Sequence, residues 1–432
     1  MEDQILKDGS NRGLILILTM FTLIGSNMRI NIIIFICGLF CWFEIYILSR
    51  KKHNHEVAIL RMLILSIPLS FIDIFGNPYG ESLISWFNIF FLIAVITYLL
   101  KYSIIKKIYF DHLSLLSLLL IMISIIPVII GGNFFDGLKQ YINIVVSFLL
   151  IVIGNSFKYN ISDRDRDTLK IDYISATIIT AIGLIIQIFF IQILNIEIGN
   201  YNFFGGYRHA YGFLFADYSF LSLYLSSGAM MLYSFDKKNI FPRGRFILYF
   251  GLILVTSILT SARTGIVAFI AVFIFYNLPN ILTLIKKGSI KSISIISGII
   301  LMIFSSYFLV DKTRGIAKFS DSGRMALNRK AFGVFKENPF LGIGFGSTNY
   351  EGMLPHNLLF QYLAQGGLLF TIPLILFLLI VVWTAYKRDK SLVPPLMCVL
   401  LGSFFVPNIF DSRFVPILFL LISIKKTNVN NI

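Results

Sequence analysis

Apolar runs of eighteen or more residues recur from one end of this chain to the other, and that repetition limits its fold more than any other feature. Each run is long enough to cross roughly 30 Å of hydrocarbon as a helix. Spanning β-strands would be short and alternating, whereas stretches such as LLSLLLIMISIIPVII (115–130) show no period of two. With 57% hydrophobic and 14% charged residues, the chain has too little polar surface to cover a water-exposed globule, whose charged fraction averages about 25%. The expected fold is an all-α, polytopic transmembrane helix bundle forming one domain over 1–432.

The runs predict about fourteen spans: 13–27, 30–48, 57–75, 82–100, 112–130, 140–156, 170–194, 212–234, 246–260, 264–284, 292–310, 357–386, 391–406 and 413–424. The first run is read as a retained helix, since the residues before it are mixed in charge and no A-x-A site follows. Cys37, Cys41 and Cys398 all fall inside predicted spans, which points to small core residues and away from a disulfide framework or zinc site.

A net charge of +15 raises nucleic acid as a partner, but the basic residues sit in short clusters between apolar runs, not along one face. Clusters at Arg50–Lys52, Lys101–Lys107, Lys158–Arg166, Lys237–Arg243, Lys286–Lys291, Lys387–Lys390 and Lys425–Lys426 share one side with the N-terminus. The opposite loops hold only Arg29, Lys139, Arg208, Arg263 and Arg413 apart from one long segment, so both termini are expected to be cytoplasmic. The expected partner is the lipid bilayer, with no nucleic acid.

Residues 311–356 form the exception, a long outer (periplasmic) loop too polar for a simple turn, and loops of that kind usually carry function. GRMALNRKAFGVFKE inside it reads as an amphipathic helix lying on the membrane or capping a cavity. Basic Lys312, Arg314, Lys318, Arg324, Arg329, Lys330 and Lys336 outnumber acidic Asp311, Asp321, Glu337 and Glu351, on the side where positive charge is scarce.

Arg263, in ILTSARTGIVAF, is a lone charge between two apolar runs, where a bilayer centre costs about 2.5–3.5 kcal/mol. It either marks a tight outer turn and snorkels to the interface or binds an anion, with small neighbours letting a phosphate approach. Arg208, in GGYRHAYGF, lies on the same side, as an ordinary loop arginine or part of the same site. Arg324 follows Asp321 and Ser322, which read as a helix cap. His356 opens the next long helix after Pro355, where the helix's partial positive charge keeps imidazole neutral and able to take a proton. Its plain alternative is a loop histidine bonded to its own turn. Asn357, Arg329 and Lys330 are supporting candidates.

Two patterns mislead. GIGFGS (342–347) resembles a nucleotide-binding glycine run, but no βαβ unit can surround it, so flexible turns are expected. DRDRD (163–167) has D-x-D spacing, yet its carboxylates alternate with Arg164 and Arg166, which suggests a solvated, self-paired loop and no metal site. Several arginines and one neutral histidine on one face suit transfer from a lipid diphosphate: cations neutralise the leaving group and the base takes a hydroxyl proton. That chemistry requires no nucleotide, metal or other cofactor.

TSARTG around Arg263, SGRMALNRKAFGVFKENPFLGIGFGS and PHNLLFQYLAQGG resemble, in order and spacing, the bacterial O-antigen polymerase and O-antigen ligase superfamily. The resemblance covers the region from residue 200 to 390. It implies an inner-membrane glycosyltransferase acting on undecaprenyl-diphosphate-linked oligosaccharides at the periplasmic face, inverting and metal-independent, with a chain-length regulator protein as a possible partner. It also implies that Arg263 and Arg324 hold the diphosphate and that His356 is the base. Arg208 matches less closely, because GFLFADYS follows where family members often carry Pro-Asn. A polymerase is favoured over a ligase, since the first half shows no match to ligases. A lipid-linked oligosaccharide flippase is the rival of another class. It would need charges lining a central path, for which Glu44, Asp73 and Asp217 are the nearest mid-span candidates.

Overall fold

A computed structural model describes residues 9–28, 30–77, 84–105, 111–157, 161–204, 208–236, 240–286, 323–346 and 355–424. The expected span 292–310 and parts of the long loop, 311–322 and 347–354, lie outside the described residues.

Helices dominate. They are α1 (Gly9–Met28), α2 (Asn31–Arg50), α3 (His55–Leu65), α4 (Trp86–Ile105), α5 (His112–Ile123), α6 (Ile125–Ile130), α7 (Phe134–Ser156) and α8 (Asp163–Gln192). An antiparallel hairpin, β1 (Asn200–Phe204) and β2 (Arg208–Phe213), follows. Then come α9 (Tyr218–Phe235), α10 (Arg243–Leu259), α11 (Arg263–Lys286), α12 (Arg324–Glu337), α13 (Leu358–Arg388), α14 (Val393–Gly402) and α15 (Phe414–Ser423).

Among the described residues six helical stretches are long and apolar enough to cross a membrane: α2, α5 with α6, α7, α8, α11 and α13. Three shorter apolar helices accompany them, at Trp86–Lys101, Lys390–Gly402 and Phe414–Ser423. The chain is thus a multi-pass membrane protein, and its described residues are helical apart from one small hairpin. Large apolar side chains such as Phe40, Ile129, Phe275 and Leu379 stand exposed on the outside, as lipid-facing helices require.

Several expected spans change form. The run 57–75 stops as an α-helix at Leu65 and continues as a 3-10 turn, Ile67–Leu69, around Pro68. Beyond it Asp73 accepts hydrogen bonds from the Phe75 and Asn77 backbone, ending the element in a turn. The run 112–130 is divided at Ser124, three residues before Pro127. The expected helix at 212 begins at Tyr218 because residues 208–213 pair as a strand. DRDRD is no solvated loop: it forms the first turn of α8, capped by Ser162, and Arg166 and Lys170 are buried against Asp389.

The core centres on α9, whose residues are nearly all buried. It packs on α10, α11 and α14 through small residues, the usual way for helices to approach inside a bilayer. Ser222 and Ser226 reach Ser257 of α10, at 3.1 and 2.9 Å. A Cβ on Gly265 of α11 would overlap the Ser222 backbone. Arg61 of α3 and Asp172 of α8 form a wholly buried ion pair at 2.7 Å that the apolar run around Arg61 concealed. Removing one partner of such a pair costs about 3–5 kcal/mol, because it strands the other charge.

The long helix α13 breaks at Gly367, whose φ of 57° and ψ of −163° are open essentially only to glycine. The break separates the Ala364 and Gln365 carbonyls from the Leu368 and Leu369 amides. All four groups are recovered by the segment after α12. Ile343 and Gly344 N–H donate to the Ala364 and Gln365 oxygens, both at 2.9 Å, and Leu368 and Leu369 N–H donate to the Pro339 and Phe340 oxygens, at 2.8 and 3.1 Å. Phe345 N–H adds a bond to the Pro127 oxygen at 2.8 Å. The glycine run is therefore a fixed seam, not a flexible turn: a Cβ on Gly342 would lie 2.5 Å from the Gln365 carbonyl carbon, and one on Gly344 would overlap Gly131.

Gly367→Ala should lower the thermal unfolding midpoint of the detergent-solubilised protein, through about 1–3 kcal/mol of backbone strain plus overlap with Phe340. Gly251→Ala in α10, with nothing near its Cβ position, serves as the control and should leave the midpoint in place. Equal midpoints for both variants would contradict the seam.

Candidate functional site

Three helices begin at one cavity. Arg263, Thr264 and Val267 come from the first turns of α11, Arg324, Met325 and Asn328 from those of α12, and His356 and Asn357 from the start of α13. Phe404 and Phe405, after α14, close it. Its volume is about 530 Å³. The partial positive charge of three helix N-termini therefore lies beside the same space as two arginines, an arrangement suited to anions.

Arg263 and Arg324 are each the first residue of their helix, where a cation opposes the helix dipole by about 0.3–1 kcal/mol. Helix stability does not account for either. The N-cap position of α12 is Gly323, at a left-handed φ of 75°, and the expected cap residues Asp321 and Ser322 lie outside the described residues.

His356 precedes α13 and does not open it. Asn357 is the N-cap, accepting from the Leu359 and Phe360 amides at 3.0 and 3.2 Å. Burial pushes the His356 imidazole below its ordinary value of 6.5, and the Arg324 charge pushes it further, while Asp217 acts weakly the other way. Both causes favour the neutral form, and they differ from the helix-terminus charge invoked from the sequence. The buried His356 Nδ1 has no hydrogen-bond partner among the described residues.

Asp217 was missed as a site residue. It caps α9, accepting from Ser219 N–H at 2.5 Å and Phe220 N–H at 3.2 Å, and lies near enough to His356 to favour its protonated form. The D-Y-S sequence before a long apolar run is a capping signal that could have moved Asp217 from mid-span to helix end.

Arg208 does not line the cavity. From β2 its Nε donates to Ser261 Oγ at 3.1 Å and its Nη2 to the Ser261 oxygen at 3.2 Å. Its guanidinium also sits 5.3 and 4.8 Å from the Phe204 and Tyr218 ring centres. Ser261 has φ 65°, a left-handed conformation rare for serine, and it stands two residues before Arg263. The small residues around Arg263 thus serve structure: Ser261 takes Arg208, and Gly265 lets α11 reach α9. Arg329 and Lys330 are exposed on α12, away from the cavity lining.

Comparison with known families agrees with this region. Residues 248–372, less than a third of the chain but containing Arg263, Arg324 and His356, match the Wzy_C family model, described as O-antigen ligase. The resemblance to the O-antigen polymerase and ligase superfamily is borne out over that segment. No curated protein matches the chain.

In nuclear magnetic resonance spectra of histidine-labelled protein, His356 should titrate below 6.5. Arg324→Gln should raise the midpoint and Asp217→Asn lower it. By linkage, stability present above pH 6.5 should decline as pH falls toward and through the lower folded value. A wild-type midpoint at or above 6.5 contradicts the electrostatic account.

Proposed function

We propose that this chain is an O-antigen polymerase, a glycosyltransferase that joins undecaprenyl-diphosphate-linked units at the periplasmic face of the bacterial inner membrane. The observation that carries the reading is the shared cavity: three helix N-termini, Arg263, Arg324 and a histidine whose burial favours the neutral form surround one space. Val267, Met325, Phe404 and Phe405 supply an apolar, partly exposed side, the environment a polyprenyl chain needs next to a diphosphate.

In this reading Arg263 and Arg324 bind the donor's diphosphate and neutralise the charge that grows as it leaves. A hydroxyl oxygen of the acceptor attacks the donor's anomeric carbon from the side opposite the diphosphate. The bond from that carbon to the phosphate oxygen breaks, undecaprenyl diphosphate departs with the electron pair, and the configuration inverts. His356 takes the hydroxyl proton as general base. Arg208 acts at one remove, by holding Ser261 and so the start of α11. Asn357 fixes the first turn of α13. Arg329 and Lys330 contribute positive charge at the surface of α12.

The matched family's description favours a second reading, an O-antigen ligase that moves the same glycan to lipid A-core. A flippase gains no support from the three charges considered for it. Glu44 is exposed on α2, Asp73 closes a turn and Asp217 caps α9.

Deletion of the gene followed by a lipopolysaccharide gel separates these readings. A polymerase null leaves core with one repeat unit, a ligase null leaves bare core while lipid-linked polymer accumulates, and a flippase null strands single units inside. Complementation with His356→Ala should cut polymer formation by about 10²–10⁴-fold. Full-length ladders from that variant would remove His356 from the chemistry. Arg208→Lys, which keeps charge but loses the planar fork, should lower turnover while leaving affinity for the lipid diphosphate within about twofold. A loss of affinity matching that of Arg263→Ala would place Arg208 on the diphosphate itself.

A further inference from the structure

The lining of the cavity at Arg263 and Arg324 divides by exposure. Val267, Met325, Phe404 and Phe405 are apolar and between 41% and 63% exposed, as side chains that meet lipid are. Thr264, by contrast, is only 3% exposed, and Asn328 and His356 are half-buried. Along α12 the sequence places Asn328 and Ala331 on one inward face, with Ala331 buried against Ala364 of α13, while Met325 points outward. A diphosphate held by the two arginines joins a polyprenyl tail to a sugar. The tail belongs with the exposed apolar residues, which leaves the inward polar ones to the sugar.

Asn328 has no structural occupation there. Its Oδ1 is closed off from water and has no hydrogen-bond partner among the described residues. An unpaired buried amide oxygen is unfavourable, and asparagine is a weaker helix former than leucine or alanine, so neither packing nor helix stability accounts for it. Amides in the core are engaged: Gln140 donates to Gln365, Asn277 accepts from Tyr233 and Asn408 accepts from Tyr362, each at 2.8 Å. No bond to Oδ1 holds the Asn328 amide against the cavity wall, and its terminal torsion is soft, so it can turn to a ligand. It stands one turn after Arg324 on the same face, about 6 Å along the axis, which is the reach from a phosphate to the sugar ring it carries. The diphosphate itself does not meet the need of Oδ1, because ionised phosphate oxygens accept hydrogen bonds and donate none. A sugar hydroxyl both donates and accepts, so it matches either end of an amide.

We propose that Asn328 is a specificity-determining residue whose amide hydrogen-bonds a hydroxyl of the sugar attached to the carrier diphosphate. The identity of the carrier rests on the transferase reading above; the choice of Asn328 rests on its unpaired oxygen and its place in the cavity. Arg263 and Arg324 hold the part common to every such carrier, and Asn328 reads the part that differs. A site that pairs a ligand hydroxyl rejects a ligand lacking one more strongly than an apolar pocket does, because the amide is then left unpaired.

The test uses the full chain in nanodiscs of phosphatidylethanolamine and phosphatidylglycerol, kept on ice. Competition against a fluorescent polyprenyl diphosphate compares two ligands, bare undecaprenyl diphosphate and the diphosphate-linked repeat unit extracted from the source bacterium. Wild type should bind the sugar-bearing ligand about tenfold more tightly than the bare one. Asn328→Leu, close in volume, should bind both ligands equally, at the wild-type affinity for the bare one. Its thermal midpoint should not fall, because an unpaired polar group has been removed. Arg263→Ala should weaken both ligands. The proposal is overturned if wild type shows no preference or if Asn328→Leu keeps it. It is overturned too if Asn328→Leu weakens bare undecaprenyl diphosphate, which would put the amide on the phosphate, or if its midpoint drops, which would make the residue structural. Failure of the transferase reading looks different: the Asn328-dependent preference would be measured as expected, yet a strain lacking the gene would make normal ladders.

Discussion

The break in α13 at Gly367 governs the placement of everything around the cavity. A helix interrupted inside a membrane must have its freed carbonyl and amide groups paired by protein, since no water is available to take them. Here residues 339–344 take all four, and they do so only because Gly342 and Gly344 accept positive φ and close backbone approach. The segment that makes this seam is the continuation of α12. Fixing it fixes α12, and with α12 the position of Arg324 relative to His356, which stands just ahead of α13 and about three turns before its break. Phe345, buried between Tyr362 and Phe370, locks the same segment from its other side.

The two ends of the bundle differ in how they handle charge. At one end cations meet carboxylates: Lys101 with Glu56, Arg166 with Asp389 and Arg388 with Asp111. Lys170 and Arg166 hold the Asp389 carboxyl down at about 2, against the cost of its burial. At the other end Arg263 lies near enough to Arg324 and Arg208 to be repelled by both. Like charges gathered in this way favour an anion, as the proposed function requires. The same field lowers the proton affinity of His356, so the groups that would hold a diphosphate also keep a base available.

The hairpin joins these parts. Its β2 strand presents Arg208 to Ser261, Asn200 of β1 holds the Phe215 and Ala216 oxygens, and Gln187 of α8 anchors it by donating to the Ile198 and Asn200 oxygens and accepting from Phe213 N–H. A short element with few backbone bonds is thereby held rigidly enough to position side chains on two sides.

Membrane character and the helical class were determined by the sequence alone, and Arg263, Arg324 and His356 were singled out by it as candidates, because length, hydropathy and isolated charges in apolar surroundings are local properties. Where such properties misled, the cause was non-local. The 57–75 run read as one span because hydropathy is indifferent to the turn that Asp73 closes. GIGFGS read as flexible because its bonding partners lie twenty residues along the chain, and Arg61 was passed over because Asp172 is on another helix. Only the tertiary structure decided that three helix N-termini face one cavity, that Arg208 supports Ser261 and stays out of that cavity, and that Asp217 stands by His356. Convergence of that kind depends on packing between distant segments, and packing is a property of the whole fold that no stretch of residues carries by itself.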